Sequence, residues 1–364
     1  MSAELYAGLM SGTSLDGVDA VLVDLAGPRP VVTARAYRSF DPALRAELLA
    51  LQRSGPDELH RAAQCANAVT RIYADAIAAL LAGAALRAQA LRAIGCHGQT
   101  VRHCPHAGYT IQLCNPALLA ELTGIRVVAD FRSRDVAAGG EGAPLAPAFH
   151  AVMLRSGGED RAILNLGGIA NLTCLPAQGA VSGFDTGPGN CLLDLWAQRH
   201  LGKPMDEDGR WAAGAAADAA LLAAFLSEPY FSRPPPKSTG RDLFCEAWLV
   251  RHAGATHDPR VVQATLLELT ARTVADAFRA HCGAAKRMVV CGGGVRNGRL
   301  MQRLAELLAP VPVEASDRHG IDPALVEAAA FAWLAHQAIA GRPASLPTVT
   351  GAAGPRVLGA IYPP

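Results

Sequence analysis

Lysine is scarce in this chain, with only three among 364 residues, and neither sign of charge is in excess: 33 basic residues face 32 acidic ones, a net charge of +1. That balance excludes an electrostatic footprint for nucleic acid or for an anionic membrane surface. Long apolar runs are missing as well, and none approaches the roughly 20 residues of a membrane span. Residues 1–6 carry neither a basic segment nor a long apolar stretch, so no secretory leader is expected. Nine cysteines occur without a single C-x-x-C pair. The odd, scattered set predicts reduced, small core residues of a cytosolic protein. The group Cys96, His97, His103, Cys104 and His106 matches no zinc-binding spacing. Neither G-x-G-x-x-G nor G-x-x-x-x-G-K-[ST] occurs, which removes the Rossmann and P-loop signatures.

Glycine turns at strand ends are what the chain does have. Residues 8–19, Gly-Leu-Met-Ser-Gly-Thr-Ser-Leu-Asp-Gly-Val-Asp, run into the apolar stretch 20–25 and read as strand, tight polar turn, strand. Such a turn serves as a surface hairpin or, alternatively, aims backbone N–H groups and hydroxyls at phosphate oxygens. In the second case Asp16 and Asp19 would hold Mg²⁺ or its waters. Two further strands end in glycine, at Asn165-Leu166-Gly167-Gly168 and at Gly292-Gly293-Gly294. Three such turns in order point to a nucleotide, with two hairpins for the triphosphate and the third turn for the adenosine end.

The length suits two domains. Strands are predicted over 5–10, 18–25 and 31–38, then helices from Asp41-Pro42 to about 53 and from 57 to 82. Strands follow at 91–96, 109–113 and 125–129, with a short helix from Asn115-Pro116 to Gly124. After a Gly/Pro-rich loop at 137–147 the alternation repeats: strands at 161–166, 172–175 and 181–184, a helix to His200, an irregular stretch at 203–240, a helix at 261–282, and a strand at 288–291 before a helix to 308. An edge strand at 311–313 and a helix from Asp322-Pro323 to about 340 complete it, and the tail at 357–361 returns as a strand. The fold class is therefore α/β with two related halves, a duplication. The first lobe takes residues 1–128 plus about 346–364; the second takes 129–345.

Asp185, before Gly187 and Gly189 at the mouth of the next helix, is the candidate catalytic acid. A helix N-terminus keeps a nearby carboxylate ionised, able to take a proton from water or a hydroxyl. It serves equally as a simple helix cap.

The run Gly8–Asp19 resembles the phosphate loop of the anhydro-N-acetylmuramic acid kinases. So do Gly95-Cys-His-Gly-Gln-Thr100, Ala129-Asp-Phe-Arg132, Gly142-Ala-Pro-Leu-Ala146, Leu164–Asn171, Asp185-Thr-Gly-Pro-Gly-Asn190, Pro236–Arg241, Cys291–Gly294 and Glu327 with the segment to Trp333. The resemblance implies two related domains of the hexokinase, Hsp70 and actin type with ATP in the cleft, hence domain closure. It also implies that 1,6-anhydro-N-acetylmuramic acid is opened by water and phosphorylated on O6, giving N-acetylmuramic acid 6-phosphate and ADP. By that resemblance Asp185 is the base. Gly12, Thr13, Ser14, Leu15, Asp16, Gly17, Val18, Asp19, Gly167, Gly168, Gly292, Gly293 and Gly294 hold ATP and Mg²⁺. Arg132 faces the lactyl carboxylate, with His97, Asp130 and Glu327 as further sugar contacts or as structural hydrogen-bonding residues. Lys237 touches phosphate or sugar, or is a solvated loop lysine. A cytoplasmic homodimer is implied by the family alone. Two other readings are an ordinary sugar kinase, and an ATP-dependent switch needing a partner-binding module.

Overall fold

The computed structural model describes residues 3–12, 14–253 and 257–364. In chain order its strands are β1 (Leu5–Met10), β2 (Gly17–Asp24), β3 (Val31–Ser39), β4 (Leu91–Cys96), β5 (Gln99–Cys104), β6 (Tyr109–Leu113), β7 (Val127–Ala129), β8 (Arg161–Leu166), β9 (Ile169–Leu175), β10 (Ser182–Pro188), β11 (Arg287–Cys291), β12 (Val313–Ala315) and β13 (Ala360–Tyr362). Its helices are α1 (Pro42–Ala50), α2 (Glu58–Gly83), α3 (Pro116–Thr123), α4 (Ser133–Ala137), α5 (Ala146–Leu154), α6 (Cys191–Leu201), α7 (Ala219–Leu226), α8 (Glu246–Ala253), α9 (Pro259–His281), α10 (Gly298–Leu308), α11 (Val326–Ile339) and α12 (Pro347–Thr350). The chain divides into unit 1, Met1–Met153 with Leu325–Pro364, and unit 2, Leu154–Ala324.

Unit 1 is built on a six-stranded sheet ordered β13-β7-β4-β1-β2-β3. β1, β2 and β3 form an antiparallel meander, and β4 and β7 continue in parallel. Unit 2 repeats the plan as β10-β9-β8-β11-β12, with β8, β9 and β10 antiparallel and β11 and β12 parallel. The second sheet thus reproduces five strands of the first in the same order and sense. That is the duplication expected from two glycine-hairpin openings.

Unit 1 takes in more of the chain than the sequence predicts, from both sides of unit 2. Residues 129–153 and 325–345 belong to unit 1, because side chains beyond β7 tie to the end of the chain. Asp135 accepts from the Thr350 hydroxyl at 2.8 Å and from the Gly142 N–H at 2.8 Å. α11 lies directly on β1 and β4. A Cβ on Gly8 would overlap the Ala328 carbonyl, and one on Gly95 the Phe331 carbonyl. Glycine at those two positions lets helix backbone meet strand backbone.

α2 is long and apolar enough to cross a membrane by length and composition, which the sequence reading did not anticipate. Its buried face (Cys65, Val69, Tyr73, Ile77, Leu80) packs into the core of unit 1. The stretch 203–240 is less irregular than expected. Asp218 caps α7 by accepting from the Leu221 N–H at 2.7 Å, and α8 follows.

The cysteines depart from expectation too. Cys174, near the end of β9, and Cys282, after α9, form a disulfide; seven cysteines are free. Spacing in sequence carries no trace of this pair, because the packing of α9 over β9 is what brings the two together. Closing a loop of 108 residues restricts the unfolded chain by about 4–5 kcal/mol in the chain-entropy account. Titration with a thiol reagent in denaturant is expected to find seven thiols before reduction and nine after it. Nine from the outset would show that the bond does not form in solution.

Candidate active site

In unit 1 the turn between β1 and β2 is wired to the turn after β4. The His97 N–H donates to the Leu9 carbonyl at 3.0 Å, Gln99 Nε2 to the Gly12 carbonyl at 3.1 Å, and Ser11 Oγ to the Gly98 carbonyl at 3.2 Å. Ser11 also shares a 2.5 Å hydrogen bond with Tyr73. The predicted phosphate-turn residues then sort by where they face. Leu15 and Val18 are buried in the core and offer only backbone, and Leu15 holds a positive φ of 56°, a conformation costly without glycine. A Cβ on Gly17 would strike Tyr37 and the Arg38 carbonyl, whereas one on Gly12 meets nothing within 4 Å. Space beside Gly12 is therefore open to a ligand. Ser14 Oγ donates to Asp16 Oδ1 at 2.5 Å. Burial, and then the Asp16 and Asp19 carboxylates, push the Tyr37 phenol up to about 12. Both acids thus lie on the Tyr37 side of the turn. Thr13 falls outside the described residues.

Arg132 and His97 meet. Arg132 Nε and Nη2 donate to His97 Nε2 at 3.1 and 2.9 Å, and Nη1 donates to the Gly142 carbonyl at 2.8 Å. The imidazole therefore carries its proton on Nδ1. Burial and the adjacent guanidinium hold His97 well below its ordinary value, so it is a neutral hydrogen-bonding group and not a base. Asp130 sits exposed past the end of β7 at a φ of 57°, accepting the Ser133 N–H at 3.4 Å. Glu327 is half-buried in the first turn of α11, beside the Ala328 carbonyl that covers Gly8.

In unit 2 three segments converge. The Gly189 and Cys191 N–H groups donate to the Gly168 carbonyl at 2.9 and 3.1 Å, and the Asn190 N–H donates to the Gly167 carbonyl at 2.9 Å. Asn190 Nδ2 reaches the Leu166 carbonyl at 3.3 Å. Side chains on Gly292 or Gly294 would overlap Leu166, so those two glycines serve packing; Gly293 faces open space.

Asp185 lies within the edge strand β10, ahead of α6. A loop covering the strand edge fixes it, which the sequence did not predict: the Thr239 N–H donates to Asp185 Oδ2 at 3.0 Å, and the Lys237 carbonyl accepts from the Asp185 N–H at 3.3 Å. The Tyr230 hydroxyl donates to the Asp185 carbonyl at 2.7 Å.

Lys237 is buried rather than solvated, at 5% exposure. Its Nζ donates to the Tyr230 and Phe231 carbonyls at 3.2 and 3.3 Å and stands 4.7 Å from the Tyr230 ring centre. Burial lowers its pKa, against the pull of Asp185. The rarity of lysine and the Pro236–Arg241 motif marked it in the sequence; Tyr230 carried no signal. Thr239 Oγ1 and Arg241 Nε, on the same loop, are buried without a hydrogen-bond partner, as befits a surface that receives a polar ligand. A cavity of about 570 Å³ in the same unit, lined by His200, Trp211, Asp258 and Arg260, includes none of these residues.

Both units are α/β, built on sheets of matching strand order with glycine turns at the strand ends, and the second holds a buried acid. The profile described as anhydro-N-acetylmuramic acid kinase matches residues 4–364. Proteins of that name from Bordetella petrii and Cupriavidus pinatubonensis are 60% and 56% identical to this chain. The first comparison covers 99% of this chain and 96% of the relative; the second covers 98% of each. The chain belongs to the anhydro-N-acetylmuramic acid kinase family. Solved structures similar to it include component A of (R)-2-hydroxyglutaryl-CoA dehydratase from Acidaminococcus fermentans (13% identity, TM-score 0.47, 91% of this chain and 98% of that one). A ROK family glucokinase from Streptomyces griseus is also similar (14% identity, TM-score 0.44, 92% and 99%).

Proposed function

We propose that this chain converts 1,6-anhydro-N-acetylmuramic acid, ATP and water into N-acetylmuramic acid 6-phosphate and ADP, a step in recycling peptidoglycan. The observation that carries the reading is the buried Asp185 carboxylate, fixed by the Thr239 N–H and flanked by polar atoms without partners, in a chain of this family. Asp185 takes a proton from water as the water oxygen bonds C1. The C1–O6 bond breaks, its electron pair stays on O6, O6 takes the γ-phosphoryl group, and ADP leaves with the electrons of the broken P–O bond.

Phosphoryl transfer needs positioning and charge neutralisation above all. The backbone of residues 12–19 suits the phosphates, with open space beside Gly12, and so does that of Gly167, Gly168 and Gly293; Gly292 and Gly294 shape the last turn. Asp16, Asp19 and the Ser14 hydroxyl are hard oxygen donors of the kind Mg²⁺ takes beside phosphate oxygens. Mg²⁺ bound there neutralises phosphate charge. Arg132, whose charge is held beside His97, suits the lactyl carboxylate; neutral His97, Asp130 and Glu327 suit hydroxyl and acetamido groups. A cytoplasmic homodimer belongs to the same reading and rests on the family.

The test is turnover in ¹⁸O-water. ADP is expected to form only when the anhydro-sugar is present, with label at C1 of the first product before anomeric exchange. Unlabelled product would indicate an ordinary sugar kinase, and sugar-independent ADP release a nucleotide-driven switch.

A further inference from the structure

One row of side chains crosses the sheet of unit 2. Register pairs Cys291 with Asn165, Asn165 with Asn171, and Asn171 with Asp185, across β11, β8, β9 and β10. Residues directly opposite one another in neighbouring strands share a face, with Cβ atoms about 4.5–5.5 Å apart. The two asparagines of the row are both buried, at 2% and 9% exposure, but they are satisfied differently. Asn165 Oδ1 takes the Cys291 thiol at 3.7 Å. Asn171 Oδ1, beside Asp185, has no partner. An amide oxygen buried unpaired is destabilising, and an apolar residue in its place would avoid that cost. The pairing of β9 with β10 is also irregular between Asp185 and Gly187, as strands often are where a side chain is re-aimed at an active site.

We infer that Asn171 is a catalytic residue that holds the attacking water beside Asp185. The inference rests on the proposed reaction and adds a group to it. A water molecule attacking carbon directs one lone pair at C1 and has two O–H bonds to place. Asp185 removes the proton of one. The other needs an acceptor that fixes the molecule without competing for its proton, and a neutral amide oxygen is such an acceptor. Asn171 Oδ1 receives that O–H before and after the transfer and neither gains nor loses a proton. The water oxygen bonds C1, its first proton rests on Asp185, and the electron pair of the broken C1–O6 bond goes to O6.

Three variants test this with the full-length protein, ATP, Mg²⁺ and the anhydro-sugar. Asn171→Leu keeps the size and loses the acceptor. Its kcat is expected to fall about 100-fold, the loss typical of a misplaced reactant, with both KM values within about threefold. Asn171→Ser, smaller and unable to reach as far, is expected to fall between Leu and the native residue. Asn171→Asp keeps an acceptor but sets a second carboxylate beside Asp185. The acid limb of its kcat profile is expected to move up by about one pH unit, since like charges disfavour ionisation, with activity recovering at high pH. That displacement reads the proximity of residue 171 to Asp185, while the acceptor role is read from the kcat losses of the Leu and Ser variants. Asn171→Leu turning over within threefold of native, or a loss confined to KM, overturns the inference. If Asn171→Leu does not fold, the Ser and Asp variants decide by the same criteria. Failure of the underlying reading looks different: Asp185→Asn would then remain active, or C1 would carry no label.

Discussion

Asp185→Asn is expected to bind ATP and the anhydro-sugar with near-native affinity and to lose about a thousandfold in kcat. The amide preserves the shape of the side chain and can still take the Thr239 N–H that holds Asp185 Oδ2 at 3.0 Å. The backbone contacts of residue 185 with Lys237 and Tyr230 are untouched. What disappears is the ability to accept a proton, and general base catalysis contributes about 10²–10⁴ in rate. Calorimetric titration of both ligands, alongside ADP release over time, separates the two quantities. Turnover close to native would remove Asp185 from the role of base. Loss of ligand binding together with turnover would mean that the substitution had disturbed the loop rather than the chemistry.

Unit 1 is expected to be acid-labile. Burial pushes His103 down to about 4 and His150 down to about 3, and burial with Arg132 nearby holds His97 well below the usual 6.5. For each of these bases the folded value lies below the unfolded one. The associated stability is complete above pH 6.5 and is lost as pH falls from there toward the folded value, because only the unfolded chain takes up the proton. Between pH 7 and pH 5 His103 and His150 each cost about 2 kcal/mol, and His97 adds to the loss in the same direction. The sum is a large part of the stability of an ordinary domain. Asp135, whose carboxyl is raised by burial, works in the opposite direction. Hydrogen exchange, corrected for its intrinsic pH dependence, is expected to show protection at β1 and β4 falling far more steeply than at β8 and β11. Equal loss in both units would refute the assignment.

Much of the fold was legible because its signals are local. Asp41 and Asn115 each accept the N–H three residues on, at 2.8 and 3.0 Å, so the two Asx-Pro starts announced α1 and α3. α7 was missed because its Ala- and Leu-rich segment has no polar stripe and lies among prolines. The glycine turns were visible as motifs, but their separate duties were not. Whether a glycine faces open space, as at Gly12 and Gly293, or another backbone, as at Gly292, depends on neighbours far away in sequence. The same holds for Asp185. The motif singled out the acid, yet the groups that fix it, Thr239 and the Lys237 carbonyl, come from a loop beyond the next helix. The domain boundary was misplaced for a related reason, since nothing near residue 129 reveals that Asp135 bonds Thr350.

Unit 2 is one continuous stretch of chain, whereas unit 1 is interrupted by it and resumes at Leu325. As the protein leaves the ribosome, the inserted half can collapse on its own while the first half waits, its sheet bare where α11 will lie over Gly8 and Gly95. A chain stopped short of that helix would present two uncovered glycine strands to whatever is nearby. Glu327 arrives with the same segment, so this candidate side chain is in place only after unit 2 has been made.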